Sequence, residues 1–457
     1  MVWNADTDCD SRIRRDWPRS LASLYSHCLD CSSTPQNRRG ESGGLRVNPV
    51  IDAKWCSIWG MELVPGSEVR NRLERLQSWM RSSDVDAVFV FQNADVFYFS
   101  GTLQAGLLCL PAQGEPVFLV VKSLARARLE SPLEKLVALP GMRKAPGLLA
   151  GEGVGKLRRV GLELDVLPVS HFQRLCQAFG GVEFTDASEA IRNIRMVKSP
   201  YEVEQVRRAA AQLNVAFLEI PGWLRAGISE LELSARLEGR LRGLGHQGLT
   251  RMRGFNNEMG YGTVSIGPSA SYPSCFPGPV GFVGLYPGMP NGAGERQLAP
   301  GDTVMVDIVG GYGGYVADKT RTFAFGEIAP DMAAAHSFVL ELMAGIERLL
   351  KPGTPCDRIY RQALERIKDS PYEETFMGLG EEKVRFLGHG VGLELDDLPV
   401  LASGFETPLE PGMTIAIEPK IFFPGRGGVG IEDTYLVTGT GFEKLTLSPA
   451  HIIQADG

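Results

Sequence analysis

The chain has 457 residues, 44% of them hydrophobic, 8% aromatic and 22% charged. That is ample apolar content for two or three folded units, and it excludes wholesale disorder and fibrous repeats. The 47 Lys+Arg against 54 Asp+Glu leave a net charge of −7, which argues against nucleic acid or an anionic membrane as the main partner. No apolar run approaches the ~18 residues of a bilayer span, and the start lacks the apolar stretch of a secretory signal. A cytoplasmic protein with a small-molecule or short-peptide substrate is the expectation.

Residues 1–60 stand apart. They hold four of the eight Cys (Cys9, Cys28, Cys31, Cys56) and four of the six Trp, with neither helical nor strand periodicity. His27, Cys28 and Cys31 hint at zinc, but a single C-x-x-C with no second spaced pair is a weak signal. The segment reads as a non-core extension, and Met61 opens a regular pattern.

From Met61 to Arg195 the pattern is α/β. A helix is expected through Arg70–Arg81, then a buried strand in Asp86-Ala-Val-Phe-Val-Phe. Leu107–Leu110 and Pro116–Val121 flank the turn-rich Pro111-Ala-Gln-Gly114, which predicts a hairpin. Further strands at Val160–Leu164 and Val182–Phe184 alternate with helices.

Residues 196–457 read as one large α+β unit. Ser199-Pro-Tyr-Glu202 carries the N-cap Ser, the Pro at the first helical position and the Glu of a capping box. Ser229-x-x-Glu232 repeats the signal for a helix ending near Gly243. Strands rich in Gly and Pro follow, then helices over about 332–350 and 357–367, then the final strands. Two helices followed by strands thus occur twice, which suggests internal duplication.

The chemistry lies in those strands. Val304-Met-Val-Asp307 and Val316-Ala-Asp318 flank a Gly-rich turn; a two-residue loop at Tyr312-Gly313 would set Asp307 directly opposite Asp318 on one face. A loop at Pro424-Gly-Arg426 would pair Glu418 with Glu432 in the same way. Between the hairpins, His389 is flanked by glycines in Gly388-His389-Gly390, which lets backbone and substrate approach the imidazole. Unpaired charges inside apolar strands are expensive. Four carboxylates and one imidazole form an oxygen-rich shell suited to Mn²⁺, Co²⁺ or Fe²⁺, with Zn²⁺ also possible.

These residues resemble the pita-bread metallopeptidases: Xaa-Pro dipeptidase, aminopeptidase P, methionine aminopeptidase and the metal-free creatinase. The landmarks Lys351-Pro-Gly353, Leu409-Glu-Pro-Gly-Met413 and Leu445-Thr446 match, as do Asp86-Ala-Val88 and Tyr98-Phe-Ser-Gly101 in the first unit. The resemblance implies an α/β creatinase/prolidase-type N-terminal domain over 61–195 and a pita-bread catalytic domain over 196–457. It implies two divalent metal ions held by Asp307, Asp318, His389, Glu418 and Glu432, with Glu418 also moving the proton, in a homodimer.

Three positions depart from the family. Its substrate-holding G-P-N-x-x-x-P-H is Gly267-Pro-Ser-Ala-Ser-Tyr-Pro-Ser274, its second His is Asp396, and the Arg of its G-V-R-I-E-D is Gly430. Ser274, Asp396 and Gly430 are therefore the expected substrate-binding positions, with Asp396 a further catalytic candidate. His246 reads as a solvated loop residue after Gly245. The favoured function is a dinuclear metal-dependent hydrolase of peptide or amide bonds; the alternative is a lyase or hydrolase of a small cationic metabolite, which Asp396 would suit. A metal-free binding protein has no need of four close carboxylates.

Overall fold

The computed structural model describes residues 60–455. The expected extension over 1–60, with its cysteines and His27, lies outside the described residues except for Gly60.

The first sheet is built between residues 61 and 195 from β1 (Ala87–Val90), β2 (Gly106–Pro111), β3 (Val117–Val120), β4 (Lys135–Ala138), β5 (Arg159–Leu162) and β6 (Glu183–Asp186), in the order β4-β3-β2-β1-β5-β6. The expected hairpin forms, with Leu107 facing Leu119, whereas β5 and β6 run parallel to β1. β1 to β3 are apolar on both faces because helices cover both, so their residues form continuous buried runs rather than alternating ones.

The second unit opens as its caps predict. Ser199 Oγ accepts from the Glu202 N–H, and Glu202 returns a bond to the Ser199 N–H, ahead of the helix Pro200–Glu219. At Ser229 only the forward half forms: Ser229 Oγ accepts from Glu232 N, while the Glu232 carboxylate turns to Arg225 and Arg236. Val206, Ala209, Ala210, Leu213 and Phe217 press the first helix onto a sheet of β7 (Gly262–Ile266), β8 (Thr303–Tyr312) and β9 (Tyr315–Phe325). Helices Pro330–Glu347 and Cys356–Ile367 cover a second sheet made by β10 (Phe386–Gly390), β11 (Asp397–Ala402), β12 (Thr414–Ile417), β15 (Asp433–Val437) and β16 (Phe442–Lys444). Between β12 and β15, the hairpin of β13 (Lys420–Phe423) and β14 (Gly427–Gly430) projects as its own ribbon. The closing strand β17 (Ile453–Ala455) runs parallel to β9.

The two hairpins differ in how they match expectation. β13 and β14 pair Phe423 with Gly427 around the loop 424–426, and β12 and β15 pair Ile417 with Asp433, so Glu418 and Glu432 sit at facing positions between the two ladders. β8 and β9 are offset from the expected register. Their loop is Gly313-Gly314, with φ of +60° and +91°, and Tyr312 faces Tyr315. A two-residue loop of this type needs left-handed backbone at both positions, which two glycines adopt and Tyr312 resists. Asp307 consequently faces Thr320 and Asp318 faces Val309, so the two carboxylates are diagonal neighbours on one face.

Among the described residues, no helix is long and apolar enough to cross a membrane.

Candidate active site

Residues inside β8, β9 and β10 and at the junctions flanking the β13–β14 ribbon converge on one cluster. Asp318, His389 and Glu432 offer ligand atoms within 4.8 Å of one another, and so do Asp307, Glu418 and Glu432. Glu432 belongs to both sets. All four carboxylates are buried, and His389 Nε2 lies 3.6 Å from Glu418 Oε1.

The surroundings fix these side chains. The Thr320 hydroxyl donates to Glu432 Oε2 at 2.8 Å, while Glu432 Oε1 is buried without a hydrogen-bond partner. Thr434 Oγ1 accepts from the Asp318 N–H and donates to the Asp318 carbonyl, locking that stretch of β9 onto β15. Burial and the neighbouring Asp307 carboxylate push Asp318 up to about 7. Burial, with Asp318 and Glu418 close by, holds Glu432 well above the usual carboxylate range. This is the condition of acidic groups crowded together with too little positive charge among them.

A divalent ion fits the first set: two carboxylates and an imidazole, with one carboxylate oxygen orphaned and buried. The second set is different, because a lysine is already in it. Lys420 Nζ donates to Asp307 Oδ2 and Glu418 Oε2, each at 2.7 Å, and lies 3.7 Å from Glu432 Oε2. Its side chain is fully buried. Burial opposes its charge, but the Asp307, Glu418 and Glu432 carboxylates outweigh that and hold it well above the ordinary lysine range. Lys420 was not among the sequence candidates. The signal available was its position two residues after Glu418, on the same strand face, facing a glycine across the hairpin.

The cluster opens on a cavity of about 230 Å³. Asp307, Asp318, His389 and Glu418 form its polar end, and Met252, Met259, Phe276, Phe386, Leu395 and Val400 supply apolar wall. Among the described lining residues the side-chain hydrogen-bond donors are Asn257, Thr263 and His389. Thr263 faces Asp307 across β7 and β8, and its buried hydroxyl has no partner. Sequence reasoning passed over both Asn257 and Thr263.

The expected substrate-binding positions are placed as follows. Asp396 lines the cavity, but its oxygens accept the backbone N–H groups of Arg253 and Gly254 at 2.8 and 3.3 Å. Ser274 lines an adjoining hollow, where its Oγ accepts from the Phe276 N–H, and it is not part of the cavity wall. Gly430 is buried in β14 opposite Lys420, so its missing side chain is the room for the lysine stem.

His246 is not solvated. It is buried against Tyr261, Nδ1 accepts from the Gly248 N–H and Nε2 lies 3.1 Å from the Val309 carbonyl, which assigns the neutral Nε2–H form. Burial pulls its pKa down to about 4. It pins the 246–248 turn to β8 behind the site.

A largely buried network of charges from both halves of the chain lies beside residues that line the cavity. Arg195 pairs with Asp95, Glu394 and Asp397 at 2.7, 2.8 and 2.6 Å, and Arg253 pairs with Asp95 and Asp165. Arg253 is thereby fixed twice, its guanidinium by Asp95 and Asp165 and its N–H by Asp396.

Comparison with known proteins agrees with this architecture. The family model described as metallopeptidase family M24 matches residues 204–439, and that of the creatinase/prolidase N-terminal domain matches residues 72–197. The chain is 28% identical over 354 residues to a probable dipeptidase PepE of Mycobacterium tuberculosis, covering 76% of this chain and 84% of the relative. It is 26% identical over 386 residues to an Xaa-Pro dipeptidase of Pyrococcus furiosus, covering 84% of this chain and all of the relative. Among solved structures, an Xaa-Pro dipeptidase from Bacillus anthracis superimposes with a TM-score of 0.71 at 27% identity, covering 84% of this chain and 99% of that one. With the creatinase/prolidase N-terminal model matched ahead of it and the metallopeptidase model matched over more than half of its length, the chain belongs to metallopeptidase family M24.

Proposed function

We propose that the protein is a metal-dependent hydrolase of peptide or amide bonds in short substrates, of the Xaa-Pro dipeptidase type. The observation that carries this reading is the convergence of Asp318, His389 and Glu432, with a buried, unpartnered Glu432 oxygen, at the polar end of a small cavity with apolar walls. The similarity to Xaa-Pro dipeptidases supports the substrate class.

Asp318, His389 and Glu432 would hold a divalent ion, which supplies a water of lowered pKa and a Lewis acid toward the scissile carbonyl. Glu418 faces the cavity with Oε2 tied to Lys420; its Oε1 takes the proton of the attacking water and returns it to the leaving nitrogen. The Thr263 hydroxyl and the Asn257 amide donate to substrate oxygen. The wall of Met252, Met259, Phe276 and Phe386 excludes water and receives an apolar side chain. In the same reading the ion comes from Mn²⁺, Co²⁺, Fe²⁺ or Zn²⁺, and the working form is a cytoplasmic homodimer. The roles once expected of Ser274 and Gly430 pass to Thr263 and Asn257, because the latter pair line the cavity.

The alternative, a small cationic substrate, leans on Asp396. With that carboxylate anchoring the 253–254 backbone, the amide reading is preferred. The test is a panel of Xaa-Pro dipeptides, other dipeptides and small cationic metabolites offered to metal-reconstituted enzyme. Dipeptide turnover that vanishes on chelation and in Asp318→Ala is expected. Turnover confined to the cationic compounds would replace this reading with the alternative.

A further inference from the structure

Two groups of ligand atoms make up the centre, and one already contains a cation. Lys420 Nζ stands 2.7 Å from Asp307 Oδ2, 2.7 Å from Glu418 Oε2 and 3.7 Å from Glu432 Oε2, so its three ion-pair partners are the three members of the second ligand set. We propose that Lys420 fills the second cation position with its own ammonium group, so that each chain binds one divalent ion, at Asp318, His389 and Glu432, rather than two. This rests on the metal-dependent reading above and narrows it.

Three observations carry the inference. The first is competition for the same carboxylates. A metal on Asp307 and Glu418 would approach carboxylate oxygens to about 2.0–2.2 Å, and the ammonium already makes a charge-assisted hydrogen bond to each of these two groups. Two buried cations packed onto the same pair of carboxylates repel each other strongly.

The second is confinement. The lysine side chain is fully buried, and its stem runs over Gly430, where a Cβ would stand 2.5 Å from Lys420 Cγ. Lysine and glycine face each other in register, so the backbone itself is arranged to admit this side chain. Leaving the site would strip a buried ammonium of its carboxylates.

The third is charge. Asp307, Asp318, Glu418 and Glu432 together supply four negative charges when ionised. One divalent ion and the ammonium leave the centre with a single net negative charge; two divalent ions with the ammonium would leave buried positive charge. The fixed ammonium also orients Asp307 and Glu418 before any ion arrives.

The experiment is metal stoichiometry on the full chain, stripped by chelator, reconstituted with excess Mn²⁺, desalted and measured by elemental analysis. About one Mn²⁺ per chain is expected for the wild type and about two for Lys420→Gly, which frees the second set. Two ions in the wild type, or one in both proteins, would overturn the inference while leaving a metal-dependent enzyme intact. No ion in either protein would remove the metal-dependent reading itself. Should Lys420→Gly fail to fold, electron paramagnetic resonance of the wild type decides alone: the uncoupled signal of isolated Mn²⁺ is expected, and an exchange-coupled pair signal would refute the proposal.

Discussion

Lys420 and Gly430 are cross-strand partners in the β13–β14 ribbon, and the absence of a side chain at 430 is what lets the lysine lie flat across the strand and reach the carboxylates. A residue expected to contact substrate is instead a gap that admits a cation. The two positions should therefore be energetically coupled. A Cβ at 430 would stand 2.5 Å from Lys420 Cγ and 3.0 Å from its Cα, and neither atom is a flexible tip. Gly430→Ala is expected to destabilise the fold by about 1–3 kcal/mol, the usual cost of overpacking. In Lys420→Gly the same change should cost less, giving an interaction energy above about 0.5 kcal/mol in a denaturant double-mutant cycle. Strict additivity would show that the lysine stem does not depend on the glycine.

Thr263, which lines the cavity and faces Asp307, carries a buried hydroxyl with no partner. If it donates to the substrate oxygen as charge develops there, Thr263→Val should lower kcat roughly 100-fold, the scale of one lost oxyanion donor. Metal content and melting temperature should barely move, since the shape is kept. Wild-type kinetics in the valine variant would strip Thr263 of that role.

Asp396 separates two kinds of involvement. As an anchor it accepts the N–H groups of Arg253 and Gly254, and its loss loosens the segment leading to Met252 and Asn257 on the cavity wall. Asp396→Ala should then raise KM by about tenfold, equivalent to ~1.4 kcal/mol, with kcat little changed, and Asp396→Asn should recover part of the loss because an amide oxygen still accepts. An equal collapse of kcat in both variants, with KM unmoved, would instead mark Asp396 as a group in the reaction.

His246 gives the fold a measurable dependence on acid. Its folded pKa, lowered to about 4, lies below the unfolded value of about 6.5. The unfolded chain therefore binds the proton more readily, and the stability this residue contributes is complete above pH 6.5 and lost as pH falls toward 4. Between pH 7 and pH 5 the loss should approach about 2 kcal/mol. Urea denaturation of the wild type and His246→Gln at both pH values checks this: the variant should be less stable at pH 7 yet lose less on acidification. Parallel losses would mean that His246 titrates normally in the folded protein.

How much of this was legible beforehand follows from the range of the interactions. The Ser199–Glu202 capping box is local, closed by groups three residues apart, and it formed as read. The second carboxylate hairpin kept its register because the loop Pro424-Gly-Arg426 left little freedom and both flanking ladders agree. The first did not, because four glycines lie between Val309 and Tyr315 and the sequence alone cannot say which two adopt the left-handed backbone of the turn. Packing chose Gly313 and Gly314, shifting Asp318 two positions along from Asp307's partner.

Residue types and their order determined the family, the α/β unit ahead of the pita-bread unit and the five candidate metal ligands, since acidic residues inside apolar strands have few physical justifications. The tertiary structure decided what occupies the space between them. Lys420 and Asp307 are 113 positions apart, and the ionic brace from Asp95 through Arg195 to Asp397 spans about three hundred residues. Such contacts depend on where long, flexible side chains end, and no periodicity records that. His246 shows the same limit: a histidine after a glycine looks like a loop residue, and only the Tyr261 ring and the Val309 carbonyl, brought up by the sheet, make it a buried neutral one.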